Sequence, residues 1–114
     1  MTYRSVNAFV ATVADLLNCE YTFNIFDDNS ASAPPYIVFF YDGSNDFNAD
    51  DQNYIKIRAV TIEFYSAFKD IDSETALESY LTENYIPYQK SENYISNEKT
   101  YQTTYSMEVI INAE

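Results

Sequence analysis

Tyr54-Ile55-Lys56-Ile57-Arg58-Ala59-Val60-Thr61-Ile62-Glu63-Phe64-Tyr65-Ser66 is the stretch on which the fold turns. β-Branched and aromatic residues fill it, and such side chains suit a pleated, half-buried surface better than a helix. Its alternation has a fault. Ile55 and Ile57 share one face, while Val60, Ile62 and Phe64 share the other. A β-bulge near Arg58 or Ala59 is the expected repair, because one extra residue returns both sets to one face and adds twist.

The other elements follow from periodicity and punctuation. On the N-terminal side, Val6, Phe9, Val10, Val13, Leu16 and Leu17 recur at helical spacing, with Ser5 as the N-cap and Asn18 as the stop. Tyr21 to Phe26 alternates and reads as a strand. Pro34 and Pro35 enforce an extended lead into Tyr36–Tyr41, whose near-continuous apolar run fits a strand covered on both faces. Asp42 to Asn53 reads as a long irregular loop with Gly43 as its turn residue. On the C-terminal side, a second helix is expected from a cap at Asp72 or Ser73 to Asn84, burying Ala76, Leu77, Tyr80 and Leu81. Tyr88–Ile95 reads as a polar edge strand. In the last strand Tyr101, Thr103, Tyr105, Met107, Val109 and Ile111 alternate with a polar set that only Ile110 breaks. The resulting fold class is α+β: one domain over residues 1–114, a mostly antiparallel four- to five-stranded sheet, and two helices on one face. The element order is α-β-β-β-α-β-β.

Composition narrows the chemistry. The 114 residues hold 18 acids against 6 bases, no His, one Cys and one Gly, for a formal net charge of −12. Without His the commonest general base and metal ligand is missing. Single Cys and Gly residues exclude thiolate zinc sites and glycine-rich phosphate loops. A glycosidase-like carboxylate pair has no specific support. An acidic surface repels phosphate backbones, so no specific nucleic-acid binding is expected, and solubility alone accounts for the charge. No secretory signal and no span of about 20 apolar residues is present, which makes cytosolic synthesis the expectation. The 12 Tyr and 8 Phe suit protein interfaces, where Tyr gives area with a polar tip.

The acidic loop is the one candidate metal segment. Asp46, Asn48 and Asp50 have the one-three-five spacing of an EF-hand, but Asp51 stands where Gly is needed and Ile57 where a bidentate Glu is needed. Asp42, Asp46, Asp50 and Asp51 are left as weak divalent-ion candidates, with a solvated loop the favoured reading. No cofactor is expected.

Several segments carry a family likeness. They are Pro35-Tyr36-Ile37-Val38, Ser44-Asn45-Asp46-Phe47-Asn48-Ala49-Asp50 leading to Tyr54, Ile62-Glu63-Phe64-Tyr65 with Lys69-Asp70, and Ile86-Pro87-Tyr88-Gln89-Lys90. Tyr94-Ile95-Ser96-Asn97-Glu98 and Tyr101-Gln102-Thr103-Thr104-Tyr105-Ser106-Met107 complete the set. Over Pro35 to Ile111 the chain resembles small proteins of tailed phages and prophages of Gram-positive hosts, described as tail terminators or head-tail joining proteins. The resemblance implies a structural, non-enzymatic virion subunit made in the host cytoplasm. Copies would form a ring, a hexamer by expectation, at the head-proximal end of the tail. That ring would end tube polymerisation and dock to head completion or connector proteins, with DNA passing through its lumen and no membrane contact. Phe47, Asp46, Asp50 and Tyr54 are the interface candidates. The alternative is an acidic, aromatic-rich protein-binding module for phage or host regulation; a small hydrolase ranks third.

Overall fold

A computed structural model describes residues 2–24, 33–44, 47–49 and 52–112. Its elements are β1 (Thr2–Tyr3), α1 (Val6–Leu17), β2 (Glu20–Phe23), β3 (Tyr36–Ser44), β4 (Phe47–Ala49), β5 (Gln52–Ser66), α2 (Ile71–Glu83), β6 (Tyr88–Ile95) and β7 (Thr100–Ile111). The strands run in the order β1-β7-β5-β3-β2, with β4 added on β5 and β6 on β7.

This sheet is mixed, which corrects the mostly antiparallel expectation. β3, β5, β7 and β6 pair antiparallel, but β2 joins β3 and β1 joins β7 in parallel. The expected element order also lacked β1 and β4, and the described residues form a seven-stranded sheet where four or five strands were expected. Two residues carry no readable period, and β1 is identified only by its pairing, Thr2 opposite Ile110 and Tyr3 opposite Ile111. Tyr3 is buried there, edge-on to Phe9, and its hydroxyl lies 2.7 Å from that of Tyr80 on α2.

β5 is the spine. Fifteen residues at about 3.3 Å each span about 50 Å, nearly the whole 52 Å long axis of the molecule. It pairs with β7 without interruption from Lys56↔Ile111 to Ser66↔Tyr101, so the expected bulge at Arg58 or Ala59 is not on this strand. The irregularity lies on its partner, where Tyr41 faces Val60 and Gly43 faces Ala59, leaving Asp42 as the extra residue. The fault in the alternation therefore stands. Val60, Ile62 and Phe64 face the helices, while Ile57 emerges on the other face opposite Ile110, the residue that breaks the polar set of β7.

Both helices feed one core. α1 buries Val6, Phe9, Val10, Val13, Ala14 and Leu17; the Ser5 hydroxyl accepts the Ala8 N–H at 3.0 Å, and Asn18 ends the helix in the left-handed region. Leu16, read as part of the stripe, is 45% exposed. α2 begins two to three residues earlier than expected, because Asp70 is the cap and accepts from the Ser73 N–H at 3.0 Å. Leu77 and Leu81 join Ile37, Phe39, Ile62, Phe64, Tyr105 and Val109 in the core. Ile25 and Phe26 of the expected first strand lie outside the described residues.

Candidate functional site: the hairpin arm, the open faces and a closed charge network

Within Asp42 to Asn53, expected as an irregular loop, the described residues 42–44, 47–49 and 52–53 are strand. β3 continues through Ser44, and β4 pairs back on β5 with Phe47 opposite Ile55, Asn48 opposite Asn53 and Ala49 opposite Gln52. A second register shift lies between Phe47 and Asn48 and leaves Tyr54 without an opposing residue. Bulges of this kind bend a ribbon and increase its twist. The β7 ladder reaches only Lys56, so Gln52–Ile55 and β4 form an arm that extends beyond the β5–β7 pairing. The sequence missed it because Asp, Asn and Gly are poor strand formers, and here the backbone ladder overrides propensity.

Of the interface candidates, Phe47 and Tyr54 therefore lie on the arm's backbone, each at the irregular step of its register. Asp46, Asp50 and Asp51 lie outside the described residues, and Asp42 occupies the β3 bulge. Among the described residues no group of three or more His, Cys, Asp or Glu is arranged to hold a metal ion.

A charge network that sequence reading did not find ties α2 to β6 and β7. Glu74 is 5% exposed. Its carboxylate accepts from Lys69 at 2.7 and 2.8 Å and pairs with Lys90 at 2.8 Å. Lys90 also reaches Glu78 at 2.8 Å, and Glu78 accepts from the hydroxyls of Tyr105 at 2.8 Å and Tyr88 at 3.4 Å. Lys69 pairs with Glu92 as well. One signal was legible: Glu74 and Glu78 stand four apart on a helix, a like-charge spacing that disfavours the isolated helix and needs cations from elsewhere.

The network is chemically closed. Burial pushes the Glu78 carboxyl up, but hydrogen bonds from Lys90 and Tyr105 outweigh it and hold the group below the usual range. Burial likewise lowers Lys90, and its bonds to Glu74 and Glu78 reverse the sign and raise it. The Tyr105 hydroxyl is raised, first by burial and then by Glu78. Each of these groups is committed to a neighbour, which makes the network a clamp between α2 and β6–β7. The Cys19 thiol is pushed up to about 11 by burial, then by Glu20, so it stays protonated at neutral pH.

The clamp makes stability pH-dependent. Glu78 has a lowered folded pKa, so its contribution is present above the ordinary value of 4.5 and is lost as pH falls through the folded value. Lys90 has a raised folded pKa, so its contribution is present below 10.5 and is lost as pH rises through the folded value. Urea midpoints of the wild type and Glu78→Gln are expected to differ most near neutrality and to converge as the carboxylate protonates in acid. A difference that does not change between neutral and acid pH would contradict the clamp.

Two surfaces remain open among the described residues. On the sheet face away from the helices, Phe40, Ala59, Ile57 and Ile110 sit beside Thr61 and Ser106, with Val38 buried on the same face. The end of this face distant from the arm is tied down. Tyr36 stacks on Tyr65 at 4.9 Å, the Tyr65 hydroxyl donates to Glu63 at 2.9 Å, and Gln102 donates to Tyr65 at 2.7 Å. Helices cover β3 on the Ile37 and Phe39 face, and Val38 is buried on the other, as its apolar run had suggested for this part of the strand.

The other open surface is the β2 edge. Phe23 and Tyr41 are 46% and 43% exposed, with rings 5.3 Å apart, and both lean on Phe39. No helix among the described residues is long and apolar enough to cross a membrane. No protein-family model matches the chain, and no curated protein matches it.

Proposed function

We propose that this chain is a structural virion subunit whose copies close into a ring of about six at the head-proximal end of a phage tail. There the ring ends tube polymerisation and presents a docking face to head completion proteins. The observation that carries this reading is the hairpin arm. A ribbon that outruns its own sheet leaves main-chain groups to be satisfied by something outside the subunit. The segments that resemble tail terminators lie on that arm and on the strands around it: β3, β5, β6 and β7. The charged cluster of α2 and β6, three carboxylates on two lysines, is spent on holding those elements together, which suits a structural role.

Each copy brings a net charge of −12. Closure must therefore be driven by apolar, aromatic and main-chain contacts against like-charge repulsion. Salt and magnesium are expected to promote association, the reverse of an interface held by opposite charges. Sedimentation velocity across a salt and magnesium series tests this. A dimer at every condition, indifferent to salt, would contradict the ring.

A further inference from the structure

Among the described residues at least two strand edges are unpaired on different parts of the surface. The first is the outer edge of β2. The Asn24 N–H donates to the Phe39 carbonyl at 2.9 Å. In a parallel ladder alternate residues turn both backbone groups to the same side. Asn24, Thr22 and Glu20 thus address β3, and Tyr21 and Phe23 turn their N–H and C=O groups outward. No strand lies beyond β2 among the described residues. The strand has no Pro, no Lys and no bulge, the devices that blunt an edge.

The second edge belongs to the arm. Gln52–Ile55 has β4 on one side, while on the other the β7 ladder stops at Lys56 among the described residues. Two other edges are protected. β6 carries Lys90 and Glu92, both held in ion pairs, and β1 is two residues long.

We infer that the arm strand Gln52–Ile55 of one copy pairs edge-on with β2 of the next. This names the subunit contact within the ring reading and rests on it. One donor edge and one acceptor edge at different places on the same chain allow a head-to-tail match, the arrangement that generates rings, whereas reciprocal exchange of the two would close a two-fold dimer. Main-chain bonds supply the affinity in strand addition. They carry no net charge, so they form between subunits that repel one another at long range. A strand laid along β2 also runs beside the half-exposed Phe23 ring and removes part of it from water.

Proline at position 23 isolates the outward donor. Phe23→Pro deletes an N–H that points away from β3 and leaves the β2–β3 bonds of Thr22 and Asn24 in place. Phe23→Ala loses the same ring but keeps the N–H. In sedimentation velocity with magnesium, the wild type and Phe23→Ala are expected to associate, with Phe23→Pro remaining a monomer at the same concentrations. Association of Phe23→Pro like the wild type would overturn this pairing and leave the ring reading standing. A wild type that stays monomeric throughout would overturn both. Hydrogen exchange on the wild type gives a second readout that survives any misfolding of the proline variant. The Tyr21 and Phe23 amides are expected to exchange fast in dilute solution and slowly on association. Slow exchange in the dilute monomer, or fast exchange in the associated form, would overturn the pairing.

Discussion

Tyr105→Ala is expected to lower the unfolding free energy by about 3–5 kcal/mol, in the range for deleting a large aromatic side chain from a core. Tyr105 is fully buried on β7 opposite Ile62, edge-on to the Tyr88 ring at 5.7 Å, with its hydroxyl on Glu78. Truncation leaves a cavity under α2 and removes a donor from a carboxylate that keeps its charge. Tyr105→Phe separates the two effects. It retains the packing and loses one hydrogen bond, worth about 1 kcal/mol. Urea unfolding followed by circular dichroism measures both. A loss below about half a kcal/mol for the alanine variant would mean that β7 does not turn this residue into the core.

Lys90→Met is expected to cost about 2–4 kcal/mol although the side chain sits at the rim. Lys90 is the cation shared by Glu74 and Glu78, and Glu74 is almost wholly removed from water. Deleting the cation leaves two carboxylates four residues apart with only Lys69 and the tyrosine hydroxyls near them. The methionine keeps the aliphatic stem, so the loss reports charge and not packing. Adding Glu78→Leu to Lys90→Met is expected to recover part of the loss, because the unpaired carboxylate is what makes the single change expensive. Lys99→Met, in the exposed β6–β7 turn, is the control and should stay within about half a kcal/mol of the wild type. Equal effects at the two lysines would remove the clamp from the account.

The parts of the fold legible in the sequence were those with a long local period. α1 announces itself through Ser5, an apolar stripe along its twelve residues and Asn18, and β7 through its alternation from Tyr101 to Ile111. What stayed hidden was set by pairing. Ile57 looked like a core residue displaced by a bulge, but it belongs to the opposite face because β7 holds β5 in continuous register. The bulge falls at Asp42 on the neighbouring strand, where composition gives no sign of it. β1 and the parallel addition of β2 depend on contacts between residues far apart in the chain, which is why a mostly antiparallel sheet was expected.

The candidate site divides the same way. Phe47 and Tyr54 drew attention as aromatics in a polar stretch, and both lie on the arm. The arm itself was read as a loop because Asp42, Gly43, Asn45 and Asp46 are turn formers by propensity. The clamp unites Lys69, Glu74, Glu78, Lys90 and Tyr105 across α2, β6 and β7. Only the Glu74–Glu78 spacing hinted at it. The open β2 edge was invisible until the direction of the Asn24 N–H fixed which residues turn outward.

The central claim is that copies of this chain close into a ring. Negative-stain electron microscopy of the protein concentrated in magnesium tests it directly. The account predicts closed particles of one subunit number around an open centre. Compact two-fold dimers, or monomers alone, would contradict it.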